Sequence, residues 1–178
     1  MIILTNDPSI GGWGWAVIKL SSMGTEIIES GCIKTESEAK KRRIRKSDDL
    51  IRRLDEINHT LLEVIEKHKV EWFLCEAPHG SQNAAGAKMI GAVTGVMSAL
   101  AASLEIPVEW YSEGDAKKHL LNKRSASKQE TIDCIIKEYG DGWVTNVKYK
   151  DEAVADALAV YHVGRESPAL RYAANQNE

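Results

Sequence analysis

The chain has 178 residues, a length that suits one domain with a single substantial core and is too short for two comfortable domains. Hydrophobic residues make up 43% of the chain and charged residues 28%, a balance that excludes a fibrous or an intrinsically disordered protein. The net charge of −3 excludes a uniformly basic nucleic-acid binder, although it says nothing about local clusters of charge.

In chain order, the first half of the sequence predicts three strands and a helix. Residues 2–7, 13–20 and 26–34 are strand-like runs separated by short turns, so we expect an antiparallel meander. From Ser47 onward, aliphatic residues recur at steps of three and four and predict one helix face: Leu50, Leu54, Ile57, Leu61 and Ile65.

The second half alternates strands with helices. Residues 70–76 and 106–111 predict two further strands, with a helix of small residues at 83–104 between them. Three more helices are predicted after them, at 113–121, 126–139 and 151–164. This order favours an α/β fold, a mixed five-stranded sheet flanked by helices on both faces. Residues 1–166 are expected to form the domain, and 167–178, which hold few apolar anchors, a loose C-terminal tail.

Nothing in the sequence is typical of a secretion signal or a membrane span. The apolar run at the N-terminus, Ile2–Leu4, is short and has no basic flank. The small and apolar stretch at 84–104 contains Lys88, several glycines and hydroxyl residues, so it is expected to pack as a helix. The three cysteines lack ligand spacing and are expected to be buried thiols. We expect a cytoplasmic protein with no membrane contact.

Two acidic residues stand where predicted strands end. Asp7 closes the first strand, immediately before a proline and a glycine-rich turn, and Glu76 closes the fourth strand in the same way. If the two strands are neighbours in the sheet, the carboxylates converge on one point. Each acid taken alone could equally be a solvated residue that ends a strand, because turns favour such side chains.

The last predicted helix of the domain carries two further acids on one face. Glu152 and Asp156 are four residues apart, whereas Asp151 lies roughly 140° around the helix from Asp156 and does not share its site. Asp156 is followed by apolar residues, and a buried carboxylate there requires a cation. The alternative is that Glu152 is a surface acid and Asp156 an ordinary helix acid, with Lys150 as a partner.

Four converging carboxylates with no histidine or cysteine at ligand spacing would form a hard, oxygen-rich site. Such a site suits Mg²⁺, with Mn²⁺ able to substitute, rather than zinc. Two ions per site could activate a water and stabilise the departing oxygen of a phosphodiester, a reaction that needs no nucleophilic side chain.

With these residues in view, the sequence resembles the RuvC family of Holliday-junction resolvases, which have a ribonuclease-H-like fold. The resemblance covers roughly residues 1–165 and is carried by three stretches: ILTNDPSIGGWGWAVI, FLCEAPHGSQNAAGAKMIGAVTGV and DEAVADALAV. It implies a homodimeric magnesium-dependent endonuclease that cuts branched DNA, especially four-way junctions, by paired symmetric nicks. By the same resemblance the metal-binding catalytic acids are Asp7, Glu76, Glu152 and Asp156.

The chain departs from the best-known bacterial pattern of this family in two places. The third acid usually stands three residues before the last, but that position is Ala153 here, so Glu152 must take the role, as in some phage and organelle relatives. An aromatic wedge usually follows the middle glutamate by three residues, where this chain has His79. The DNA-binding residues expected in this loop are His79, Gly80, Ser81 and Gln82.

A basic segment between the sheet and the last acids is expected to contact the DNA backbone. By the resemblance, Lys117, Lys123 and Arg124 neutralise phosphates, and Lys128 acts as a catalytic residue at the scissile phosphate. The alternative is a solvated helix end, because basic residues in a last turn complement the helix dipole. A second basic run, Lys40–Lys46, is equally compatible with a phosphate-contacting loop and a plain surface loop.

Small residues on the helix at 83–104 allow another helix to pack closely, either inside the subunit or across a dimer interface. Because a two-fold symmetric junction is cut at two symmetric points, we expect a homodimer that uses this helix. Two other functions remain open. One is a nuclease of the same fold for flaps, forks or RNA–DNA hybrids, and the other is a DNA-binding relative that has lost catalysis.

Overall fold

A computed structural model describes residues 1–39 and 44–176, which form five strands and six helices. The strands are β1 (Ile2–Asp7), β2 (Trp13–Ser21), β3 (Gly24–Ile33), β4 (Trp72–Ala77) and β5 (Val108–Ser112). The helices are α1 (Lys46–His68), α2 (Ala84–Leu104), α3 (Glu113–Leu121), α4 (Lys128–Tyr139), α5 (Lys148–Gly164) and α6 (Pro168–Gln176).

The strands form one mixed sheet in the order β3-β2-β1-β4-β5. The first three strands make the predicted antiparallel meander, while β4 runs parallel to β1 and β5 runs parallel to β4. Parallel strands end at the same edge, so the carboxyl ends of β1, β4 and β5 lie side by side. The predicted α/β fold with five strands is confirmed.

Helices cover both faces of the sheet, and the alternation along β1 shows how. Leu4 faces the cluster that contains Ile57 of α1 and Met97 of α2. Its neighbour Ile3 faces the opposite cluster, which contains Leu158 of α5. Successive side chains of a strand point to opposite faces, so one strand contributes to two cores.

Helix α5 is the most buried helix and lies directly on the sheet. The Thr5 hydroxyl of β1 donates a hydrogen bond of 2.6 Å to the carbonyl oxygen of Ala157. Gly14 of β2 lets the helix approach closely, since a Cβ atom built there would stand 2.0 Å from the carbonyl oxygen of Ala153. This contact sets the height of α5 above the sheet.

The substitution Gly14→Ala is therefore expected to push α5 away from β2. Overpacking of this kind costs about 1–3 kcal/mol, measurable as a lower midpoint of urea unfolding. Gly12→Ala is the control, because a Cβ there would meet only the sulfur of Cys32 at an ordinary 3.6 Å. Equal stability of the two variants would contradict the close packing of α5 on β2.

The expectation of a loose tail after residue 166 is wrong for most of that segment. Residues 168–176 form α6, and the side chain of Leu170 is fully buried in the core beneath α5. The Ser167 hydroxyl accepts a hydrogen bond of 3.3 Å from the amide of Leu170 and holds the first turn. Leu170 and the partly buried Ala173 pack against the same core as α5 and hold α6 in place.

Helix α2 is packed less fully than the sequence predicts. Only one stripe is buried within the subunit, formed by Val93, Met97, Leu100 and Ala101. By length and composition the helix is apolar enough to cross a membrane. Of its most apolar 18 residues, 22% are buried inside the subunit. The opposite face, which carries the small residues Ala84, Gly91 and Gly95, is exposed.

The structure corrects the expectation for the cysteines, and it describes only part of the basic run Lys40–Lys46. All three cysteines are free, but only Cys75 is buried, while Cys32 and Cys134 are partly exposed. Residues 40–43 of the basic run Lys40–Lys46 lie outside the described residues.

Candidate active site

Three acidic residues meet at the carboxyl edge of the parallel strands. Asp7 is the last residue of β1, Glu76 is the fifth of the six residues of β4, and Glu113 follows β5 directly as the first residue of α3. The register pairs Asn6 with Cys75 and Glu76 with Tyr111, so the three strand ends are level. The convergence predicted for Asp7 and Glu76 follows from the adjacency of β1 and β4.

A fourth carboxylate reaches this edge from α5. Asp156 is only 5% exposed and immediately precedes Ala157, whose carbonyl oxygen is bonded to Thr5 of β1. The buried helix thus delivers its acid to the end of the strand that carries Asp7. The structure brings Asp7, Glu76 and Asp156 together, as the predicted metal site requires.

These carboxyl groups act strongly on one another. Burial, and then repulsion from Asp156, raises the pKa of Asp7 from 3.8 to about 7. Burial, and then repulsion from Asp7 and Asp156, raises the pKa of Glu76 from 4.5 to about 9. Burial also raises the pKa of Asp156, although the nearby ammonium of Lys128 opposes it. A cluster of mutually repelling carboxylates favours the binding of a cation.

Two lysines already contribute positive charge to the cluster. The ammonium of Lys128, at the start of α4, is bonded to a carboxylate oxygen of Asp156. The ammonium of Lys117 is bonded to Glu113, and the lysine side chain is only 9% exposed. Lys128 therefore lies at the acid cluster, and Lys117 is buried beside it rather than on the surface.

Glu113 is the site residue that the sequence analysis missed. Its charge acts on Asp7, Glu76 and Asp156, and its two oxygens bond to Lys117 and, at 3.1 Å, to Nε2 of His79. The available signal was its position directly after a strand, the same signal that marks Asp7 and Glu76. The sequence predicts a fifth strand that ends at residue 111, however, and this places Glu113 only at the beginning of a helix.

Glu152 lies apart from the strongest charge interactions of the cluster. Its side chain is 26% exposed, and its Oε1 stands 4.0 Å from the ammonium of Lys148 one turn earlier on α5. The neighbouring acid Asp151 is engaged elsewhere, because its carboxylate accepts hydrogen bonds of 2.8 and 2.7 Å from the amide and hydroxyl of Thr145. The helix geometry that separates Asp151 from Asp156 is thus confirmed.

The loop after β4 lies beside the acids. His79 is exposed and tied to Glu113, and Gly80 and Gln82 are exposed as well. Ser81 packs into the start of α2, where its hydroxyl accepts a hydrogen bond of 3.3 Å from the amide of Asn83. The loop that holds the four residues predicted for DNA contact therefore reaches the acid cluster through His79.

Comparison with known proteins decides the family. The model of the family described as crossover junction endodeoxyribonuclease RuvC matches residues 3–162. The chain belongs to the RuvC family.

Curated RuvC proteins align with nearly the whole chain. The protein of Rickettsia bellii (strain OSU 85-389) is 28% identical over 160 residues, which cover 89% of this chain and 94% of the relative. That of Photorhabdus laumondii is 29% identical over 173 residues, which cover 96% of this chain and 91% of the relative.

Solved structures share the fold at low identity. Thermus thermophilus RuvC in complex with a Holliday junction substrate matches with a TM-score of 0.74 at 20% identity, over 99% of this chain and 96% of that one. The yeast mitochondrial Holliday junction resolvase matches with a TM-score of 0.66 at 13% identity, over 97% of this chain and 81% of that one.

The converging acids of this RuvC-family chain offer the type of ligand atom that divalent cations such as Mg²⁺ prefer. All the converging donors are carboxylate oxygens, which hard cations prefer. Within residues 1–39 and 44–176, no three His, Cys, Asp or Glu side chains are already grouped as a metal-holding set. Within the cluster the ammonium of Lys128 pairs with one carboxylate oxygen of Asp156, Oδ2.

Proposed function

We propose that the chain is a structure-selective DNA endonuclease that resolves four-way junctions by paired, symmetric nicks. The observation that carries this proposal is the meeting of Asp7, Glu76 and Asp156 at one sheet edge in a chain of the RuvC family. A catalytically inactive relative would have no reason to keep three carboxylates whose mutual burial destabilises the fold.

Divalent cations would be held by Asp7, Glu76 and Asp156, with Glu152 as the fourth acid. We propose Mg²⁺, replaceable by Mn²⁺, and two ions per site. When bound, such ions activate a water and stabilise the departing oxygen of a phosphodiester. Glu113 is the alternative to Glu152 as the fourth metal-binding acid, because its charge acts on Asp7, Glu76 and Asp156.

The basic side chains near the site would then have different roles. Lys128 pairs with Asp156 with a side chain that is 49% exposed, and it would contact the scissile phosphate. Lys117 is held by Glu113 under the acid cluster and limits the repulsion among the carboxylates. Lys123 and Arg124, together with the loop residues His79, Gly80, Ser81 and Gln82, would contact the DNA backbone.

Comparison of three synthetic substrates tests this function. Labelled four-way junction, replication fork and RNA–DNA hybrid are each incubated with the protein, with and without Mg²⁺. Paired and symmetric nicks in the junction, dependent on Mg²⁺, support a resolvase. Preferred cleavage of the hybrid or of the fork would replace it with another nuclease of the same fold, and binding without cleavage would indicate an inactive relative.

We propose further that two copies of the chain pair through α2. Its buried stripe faces the subunit's own core, while the opposite face is exposed and carries the small residues Ala84, Gly91, Gly95 and Ala102. A two-fold dimer would cover this apolar face and place one site on each strand to be cut.

The substitution Gly91→Glu is expected to abolish the dimer. A Cβ at this position meets nothing within 4 Å inside the subunit, so the charged side chain disturbs only a partner. Sedimentation at micromolar concentration should show a dimer for the wild type and a monomer for the variant. Met23→Glu, at a turn residue that is 96% exposed, is the control and should remain dimeric. A monomeric wild type would contradict the prediction.

Two remaining assignments are also proposals. The nuclease unit comprises residues 1–166 together with α6, which packs on the core of that unit. The protein acts where DNA is present, and we propose the cytoplasm as that compartment.

A further inference from the structure

The connection between α3 and α4 carries two neighbouring cations, and both reach the N-terminal end of a helix. Arg124 donates from Nη2 to Asp115, in the first turn of α3, at 2.6 Å. Lys123 donates to Glu130, in the first turn of α4, at 2.8 Å. The partial positive charge of a helix N-terminus repels cations, so the helix dipole does not explain these positions.

The two carboxylates are held in the same way. Asp115 and Glu130 each stand three residues after a serine that caps their helix. One oxygen of Asp115 accepts from the Ser112 hydroxyl at 2.7 Å, and one oxygen of Glu130 accepts from the Ser127 amide at 2.7 Å. In each case the other oxygen binds the cation. Each carboxylate thus lies where a helix N-terminus and a cation would both attract an anion.

The arrangement is open to exchange with solvent. Side-chain exposures are 52% and 46% for Lys123 and Glu130, and 62% and 52% for Arg124 and Asp115. Exposed ion pairs of this kind are weak and yield readily to a competing anion. Gly114 leaves room for the guanidinium, since a Cβ there would stand 3.2 Å from Nη1 of Arg124.

We propose that the carboxylates of Asp115 and Glu130 occupy the positions that DNA phosphates take on binding. In the free protein these carboxylates hold Arg124 and Lys123 in place, and they lower the protein's affinity for DNA of any shape. This inference rests on the proposed function, because it requires that the segment meets a DNA backbone. On binding, a phosphate replaces each carboxylate on its cation, and the released carboxylate stays near the phosphate and repels it. The chain thereby avoids tight attachment to bulk duplex.

The salt dependence of binding to a linear duplex tests the proposal. The variants are Asp115→Asn and Glu130→Gln; the glutamine preserves the capping hydrogen bonds of α4. Binding is followed by fluorescence anisotropy with EDTA present, so that no DNA is cut. Each variant should bind more tightly than the wild type at 50 mM salt. Each should also lose about 3.5-fold more affinity than the wild type between 50 and 200 mM, the effect of one additional uncompensated phosphate contact.

Glu138→Gln is the matched control for the change in net charge. Glu138 is an acid of similar exposure, 41%, that pairs with Arg165 at 3.1 Å at the far end of α4. It should leave the salt slope unchanged. Adding Arg124→Gln to Asp115→Asn should remove the gain, because no freed cation is left. Thermal unfolding of each variant separates these effects from a loss of fold.

Two results overturn the inference, and they can be told apart. If the wild type binds neither duplex nor junction at 50 mM salt, the proposed function fails and the inference fails with it. If the wild type binds DNA but Asp115→Asn and Glu130→Gln have unchanged salt slopes, or slopes matched by Glu138→Gln, only the inference fails.

Discussion

Replacing Asp7 by asparagine is expected to abolish cleavage and to stabilise the metal-free protein at the same time. Loss of residues that merely orient metal ligands costs about 10–100-fold in activity, so loss of a ligand should cost more than about a hundredfold. The stabilisation arises because Asp7 has a pKa raised to about 7 by burial and by repulsion from Asp156. An uncharged side chain removes that repulsion.

The two readouts for this variant are junction nicking and urea unfolding in EDTA. We expect Asp7→Asn to be more stable than the wild type at pH 8 by on the order of 2 kcal/mol. Glu63→Gln, a change in an exposed acid of α1, is the control and should leave both quantities near the wild-type values. A variant that still nicks the junction, or that is less stable without metal, would show that Asp7 does not belong to a strained acid cluster.

The stability of the metal-free protein should fall as pH rises from about 6.5 to 8.5. The folded state raises the pKa of Asp7 to about 7 and that of Glu76 to about 9, so it binds protons more tightly than the unfolded chain does. The stabilisation is therefore complete below the unfolded values of 3.8 and 4.5 and is lost as pH rises through the folded values. His162 has a pKa lowered to about 4, so its own contribution changes below this window.

Thermal unfolding in EDTA should show this loss as a fall of roughly 4–8 °C, the shift that about 2 kcal/mol produces in a domain of this size. Saturating Mg²⁺ should reverse it, because a ligand that binds only the folded state stabilises that state. The double variant Asp7→Asn with Glu76→Gln should have a flat profile and no response to Mg²⁺. A wild-type profile equally flat in EDTA would contradict the raised pKa values.

The sequence predicts most of the sheet and three of the converging acids because the signals for both are local. Strand-length apolar runs, short turns and an acid at a strand end place Asp7 and Glu76, and a spacing of four places Asp156 on one helix face. Glu113 carried the same signal but was hidden by a strand end placed one residue early. Helix α6 was missed because Leu170 is its single deep anchor, and one apolar residue produces no periodicity.

The ion pairs were beyond sequence analysis for a different reason. Lys128 and Asp156 are 28 residues apart, and only the packing of α4 beside α5 brings them together. Arg124 reaches back over α3 to Asp115, although its place after the helix suggested a favourable interaction with the C-terminal dipole. Which acid neutralises which cation depends on the three-dimensional path of the chain, and so does the burial of Lys117.

Anomalous diffraction from crystals grown with Mn²⁺ would locate the metal ions. We expect peaks at the carboxyl edge of β1 and β4, within coordinating distance of Asp7, Glu76 and Asp156, with Lys128 withdrawn from Asp156. The same map shows whether Glu152 or Glu113 completes the site. Crystals that bind Mn²⁺ elsewhere, or that hold no ion while the junction is still cut, would show that these acids are not the metal ligands.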